Sequence, residues 1–183
     1  AADLLPLAQH PKVIGLAECP VLVSIPVSSG VGSAHSKLYK VEENLQLQAS
    51  SALVTQNTPA FIVLPGSAAE LQLTGKPSLP ATLVAGQTFG SSDSVQVRIV
   101  DSYGNLKTPY SGSVYFSSSD AQAAFTYNSA NPKLLPTGAF TFPGTDFILK
   151  TAGNQTLTAY SGSLTKTSSS IQVLSTTIAS FSL

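Results

Sequence analysis

Two histidines, one cysteine and nine acidic side chains are the whole stock from which this 183-residue chain could build acid–base, nucleophilic or metal chemistry. A Ser/His/acid relay needs a histidine to carry the proton from a suitably framed serine. His10 and His35 both lie early in the chain, and no G-x-S-x-G surrounds any serine. Cys19 with His35 could imitate a thiol and its base, but nothing in their spacing favours it. His10, Glu18, Cys19 and His35 make an acceptable zinc list that lacks the close paired spacings of structural zinc. Glycoside hydrolysis takes two carboxylates facing across a cleft. Here the acids are mostly isolated in turns, and adjacent Glu42-Glu43 would point to opposite faces of a strand. No phosphate-cradling glycine loop or dinucleotide fingerprint is present. The expectation is therefore a protein that is not an enzyme and needs no cofactor. Calcium is the ligand these residue types suit best, with Asp101 and Asn105 as candidate ligands beside Asp93 and Asp120 near strand ends. The same residues are favoured in turns for backbone reasons alone. Tyr103, Tyr110 and Tyr115 could stack on sugar rings, although the chain has no Trp to strengthen that reading.

Composition narrows the class further. Charged residues are 10% of the chain, against about 25% in an average soluble domain. Hydrophobic residues are 43%, enough for a real core, and nine basic residues balance nine acidic ones. A neutral surface gives no steering toward nucleic acid or anionic lipid and little repulsion between copies. Nucleic acid is thus not an expected partner, whereas self-association is unopposed. The longest apolar stretch, Val13 to Val27, is broken by Glu18, Pro20 and Pro26, and it is shorter than the roughly 20 residues of a spanning helix. No membrane span or signal peptide is expected within the sequence; Ala1-Ala2-Asp3 would suit a mature end left after signal cleavage. Cys19 is the single cysteine, so it is either an inert thiol or a bridge to another molecule.

The elements that must position these groups read as all-β. Thirteen Gly and twelve Pro punctuate short runs, and no stretch holds a helical apolar period for three turns. Lys40–Ala52 alternates Leu45, Leu47 and Ala49, a strand period. Two regions separate near Pro65-Gly66. In the second, Leu71/Leu73, Val95/Val97/Ile99, Val114/Phe116, Phe140/Phe142 and Phe147/Leu149 each alternate, followed by QTLTAYSG and KTSSSIQVLS. Seven short strands in about 105 residues is the spacing of an immunoglobulin-type sandwich.

The D-x-Y-G-N turn at Asp101–Asn105, the stretch Y-x-G-x-V-x-F-S-S-S-D at Tyr110–Asp120, and K-T-A-G-x-Q-T-L-T-A at Lys150–Ala159 carry a specific resemblance. Residues 67–174 resemble the bacterial immunoglobulin-like (Big-type) repeats of surface adhesins, invasins and S-layer-associated proteins. That resemblance implies an immunoglobulin-like β-sandwich in a secreted, cell-surface setting, and it implies little about function, because such repeats serve as spacers, adhesin modules and assembly units alike.

Residues 1–66 resemble no named family and form a smaller N-terminal β region with strand candidates at 13–16, 21–27, 37–41, 45–49 and 60–64. PAFIVLPG is a continuous apolar run, as in a strand covered on both faces. Val21, Val23 and Ile25, with Phe61 and Val63, need cover that so small a unit can hardly supply alone. After the sandwich (67–175), the tail 176–183 is another β-prone segment, with Ile178, Phe181 and Leu183 as candidate contact residues. The expected function is a structural subunit of an extracellular self-assembling filament or surface layer, with copies of itself as partners. It would be joined head-to-tail by strand exchange in the manner of donor-strand complementation in pilus-like fibres. The alternative is an adhesin, a ligand-binding surface module for a host protein or surface glycan, carried on an immunoglobulin-like stalk.

Overall fold

A computed structural model describes residues 12–14, 25–33, 37–51, 53–76 and 82–176. It is all-β: among the described residues there is no α-helix, and the single helical turn is the 3-10 segment Gly144–Asp146. No helix among them is long and apolar enough to cross a membrane. The chain divides into two compact units between Leu64 and Pro65.

The first unit is organised by one long strand. β1 (Lys12–Ile14) pairs antiparallel with β2 (Glu42–Ser50), matching Val13 to Leu47. On the opposite edge of β2 lie β3 (Thr55–Asn57) and β4 (Phe61–Val63), end to end. Ser51 closes the β2–β3 hairpin, its Oγ accepting the backbone N–H groups of Leu53 and Val54 at 3.3 and 3.1 Å, a side-chain turn that competes well with continued strand. The register slips between Glu42 and Leu45, where Asn44 sits at φ 57°. Asn tolerates this left-handed conformation better than most residues, and one extra residue there makes a bulge. The strand expected at 37–41 does not form. The register would bring Pro65 opposite Lys40, and proline has no N–H to extend the ladder. The run PAFIVLPG is also covered on one face only. Phe61 and Val63 are half-buried beside β2, while Ile62 and Leu64, on the opposite parity, are 58% and 74% exposed, because that face of the sheet has no cover among the described residues.

The second unit is a two-sheet sandwich. One sheet has the order β11 (Ala139–Pro143), β7 (Ser94–Val100), β5 (Glu70–Lys76). The other has the order β10 (Lys133–Leu134), β8 (Ser113–Ser118), β14 (Leu157–Ser161), β15 (Leu164–Thr167). It continues as β13 (Gly153–Gln155), β16 (Ile171–Leu174), β6 (Thr82–Val84). The two ladders join through one interrupted hairpin: Thr158 faces Thr167, whereas Gln155 faces Ile171, so a bulge near Ser169 absorbs one residue. β9 (Ala124–Phe125) and β12 (Phe147–Ile148) make a short pair at the side. β6 runs parallel to β16, while β5 belongs to the facing sheet. The chain thus changes sheets between Lys76 and Thr82, and β5 and β6 are each the edge strand of their sheet.

Alternation decides what lies inside. Val95, Val97 and Ile99 are fully buried from one sheet, and Val114, Leu157, Ala159 and Ile171 from the other. Between them, Phe142 meets Phe116 edge-on at 5.0 Å between centroids, and Phe116 meets Phe147 at 4.9 Å. Edge-to-face contacts of this kind add to the area term. Phe142→Ala is expected to cost about 3–5 kcal/mol, a large share of the roughly 5–15 kcal/mol of a typical domain. Urea unfolding of the two proteins measures this, and a loss below about 1 kcal/mol would mean that Phe142 is not the inter-sheet keystone.

Candidate interaction surface

The buried acidic groups are the first candidates for chemistry, and the structure places Asp101 and Asp120 just past strand ends. Asp101 ends β7 and is almost wholly buried. Its Oδ1 accepts the backbone N–H groups of Tyr103 and Asn105, both at 2.9 Å, and its Oδ2 accepts that of Gly66 at 2.9 Å. The Asn105 amide donates to both oxygens, at 3.2 and 2.9 Å. Five N–H bonds converge on a carboxylate that has about four lone-pair sites. Asn105 turns its nitrogen, not its oxygen, toward Asp101, so the donors sit where a cation would need ligands. Asp120 follows β8 at the other end of the sandwich. It accepts the backbone N–H groups of Gln122, Lys150 and Thr151 and the Thr151 hydroxyl. Beside it, Ser119 donates to Gln155 at 2.6 Å and accepts the N–H of Thr156 at 2.9 Å. Among the described residues no cluster of three or more His, Cys, Asp or Glu could hold a metal ion. His10, Glu18, Cys19 and His35 lie outside them.

The electrostatics agree with an anchoring role. Burial raises the Asp101 carboxyl, but the bonds from the Asn105 side chain and from the Gly66, Asn105 and Tyr103 backbones outweigh it and lower its pKa to about 2. Burial likewise raises Asp120, and its bonds from Thr151, Lys150 and Gln122 lower it to about 2.

The tyrosines divide by role. Tyr110 is part of the fold: its hydroxyl lies 2.9 Å from Ser161 Oγ, which donates to the Ser113 carbonyl at 2.8 Å. Tyr103 is exposed on its turn. Tyr115 and Tyr160 face one another across β8 and β14, ring centroids 5.0 Å apart and planes 9° from parallel. Around them the outward positions of this sheet are Ser113, Ser117, Thr158, Thr165 and Thr167, with Leu134 exposed beside Ser113. Thr82, Val84, Asn154, Gln172 and Leu174 continue the face. None of these residues is charged. The two lysines of this sheet sit at the alternate positions: Lys133 lies 4.4 Å above the Phe140 ring centroid, and Lys166 reaches Glu70 at 3.7 Å. The outer face of the other sheet does carry charge, at Arg98 beside Gln72. A shallow polar groove of about 340 Å³ lies between Thr74, Gly75, Ser94, Gln96 and Thr141 there.

In the first unit, exposed apolar side chains gather at Ile62, Leu64, the hairpin tip Leu53 and Val54, and Val31. Sequence reading nominated Phe61 and Val63; those two are half-buried, and their neighbours Ile62 and Leu64 face out. Ile25 is half-buried, its Cγ2 only 2.9 Å from where a Cβ on Gly32 would sit. Val21, Val23, Ile178, Phe181 and Leu183 lie outside the described residues.

An all-β chain whose second unit is a two-sheet sandwich is the class that the fold defines. No family model and no curated protein matches the sequence. Among solved structures, it is similar to domains 4 and 5 of the S-layer protein SbsC at 14% identity and TM-score 0.42, covering 91% of this chain and 70% of that one. It is similar also to SbsC domains 4–9, at 15% and 0.43, covering 96% and 23%, and to rSbsC(31-844), at 15% and 0.42, covering 91% and 20%. The chain spans less than a quarter of the two longer structures. So loose a likeness carries no argument about function.

The two aspartates predict an acid limit. Their folded pKa of about 2 lies below the ordinary 3.8, so between those values the unfolded chain binds more protons. Their stabilisation is complete above about pH 4 and is lost as pH falls toward 2. Melting midpoints from pH 7 to pH 2 should drop in that window, and Asp120→Asn should be less stable at pH 7 and flatter below pH 4. An unchanged slope in the variant would remove Asp120 from this role.

Proposed function

We propose that this chain is a structural module of an extracellular assembly, joined to copies of itself by strand addition at the edge formed by β3 and β4. The observation that carries this reading is the character of that edge. Among the described residues no strand pairs with its outer side. No charged residue occurs from Asn44 through Ala69, and Ile62 and Leu64 stand exposed along it. Edge strands that must stay single are usually defended by lysine, inward charge or proline. Here Pro59 separates β3 from β4 and Pro65 follows β4, leaving two short stretches of backbone donors and acceptors.

The sandwich is a poor acceptor by comparison. The Lys166–Glu70 pair guards β15 and β5, Pro143 ends β11, and the edge strand β6 offers only the three residues Thr82–Val84. In this reading the donor is a terminal segment of a neighbouring copy, 176–183 or 4–27. Backbone bonds supply affinity, and alternate side chains fix the register. Because donor and acceptor differ, the contact runs head-to-tail and propagates as a fibre unless its rotation closes.

Light scattering after size-exclusion chromatography, with negative-stain microscopy, tests this. The parent chain is expected to form concentration-dependent oligomers or fibres. Ile62→Lys, a change at an exposed position, should abolish head-to-tail growth while leaving the melting midpoint within a few degrees. A parent chain that stays a monodisperse monomer, or an I62K protein that assembles as the parent does, overturns the reading. The first of those results would favour a ligand-binding surface module instead.

A further inference from the structure

The outer face of the β8–β14–β15 sheet belongs to the second unit, whereas the β3–β4 edge belongs to the first. We infer that it is a second self-association surface, on which the same face of another copy packs. The inference rests on the proposed assembly role only for its setting; the face itself is argued from its own residues.

Three observations select this occupant. The face is uncharged, and both lysines of the sheet sit at the alternate positions, beside Phe140 and Glu70. A charged partner would lose hydration there with nothing to replace it, so the matching surface must be uncharged as well. The polar groups are mainly hydroxyls, as in the Thr158–Thr167 pair at 3.0 Å. A hydroxyl both donates and accepts, so such a face complements itself about a twofold axis, whereas a lone charge would meet its own like. At its centre Tyr115 and Tyr160 stack on each other, so each ring spends one face on its partner and the pair forms one compact aromatic patch.

The strands of this face are two to six residues long, and at about 4.8 Å by 3.3 Å per residue they give roughly 400 Å² in plan per copy. That is about half of the roughly 800 Å² per partner of a standard interface, so the contact is weak alone and effective when repeated. A head-to-tail edge contact propagates in one direction. A second contact between like faces ties such fibres side by side, so the two together make a layer.

The test places like charge on the face through exposed Thr165 and Gln172 in the full chain. Thr165→Lys/Gln172→Lys should convert layers to single fibres, seen by negative-stain microscopy. In the Ile62→Lys background it should convert a residual dimer to monomer, shown by sedimentation velocity. Mixing the lysine pair with Thr165→Glu/Gln172→Glu should restore lateral association, a rescue that a mere folding defect would not show. Assembly unchanged by the face charges overturns the inference even if Ile62→Lys has worked; face charges that still act when Ile62→Lys does nothing sustain it without the edge. Binding to a neutral polysaccharide such as amylose that the lysine pair abolishes, with oligomer size unchanged, overturns it and assigns the face to a glycan.

Discussion

The meeting of two sheets over the Phe116, Phe142 and Phe147 cluster is the constraint from which the rest of the sandwich follows. Burying those rings fixes which parity of every strand points inward, because side chains alternate strictly along a strand. A slip of one residue would turn Val95, Val97 and Ile99 out to water and bring Gln96 and Arg98 into the core. The outer surface is therefore not composed independently; it is whatever the inward parity leaves over.

What it leaves over differs between the sheets. On the β5–β7–β11 side the leftover positions include Arg98 and the polar groove at Gln96 and Thr141. On the β8–β14–β15 side they are hydroxyls, amides, aliphatic side chains and two tyrosines, while the lysines fall on the inward parity and escape sideways to an aromatic ring and a carboxylate. The same rule shapes the first unit. Leu45 is buried against β4, so Phe61 turns in and Ile62 turns out. Nothing in that unit matches the phenylalanine cluster, so its exposed apolar side chains are a consequence of having only one face to bury.

The alternation that built the sandwich was legible in the sequence because it is local: Val95/Val97/Ile99 and Val114/Phe116 announce their faces without reference to any partner. The Asp101 turn was legible as a turn for the same reason, since its bonds reach residues two and four positions away. Asp120 was not, because its partner Thr151 lies 31 residues distant and nothing in S-S-S-D signals it. Edge position was equally hidden. PAFIVLPG carries the composition of a fully covered strand, and only the pairing scheme reveals that one side lacks a neighbour. The uncharged sheet face was out of reach for a related reason: Tyr115 and Tyr160 meet by pairing of distant strands, and a face exists only once the register is known.

Low charge acquires its meaning from this placement. A chain with 10% charged residues could scatter them evenly and remain indifferent to its neighbours. Instead two uncharged surfaces of different geometry stand out, a strand edge that no described strand pairs and a sheet face rich in hydroxyls. Strand pairing is directional, because donors and acceptors alternate along an edge, and it sets polarity. Face packing is set by side-chain shape and by the roughly 10 Å spacing of stacked sheets, and it is indifferent to polarity about a twofold axis. Two contacts with different symmetry need not compete for the same partner, so the proposed edge and face contacts can coexist on one small module.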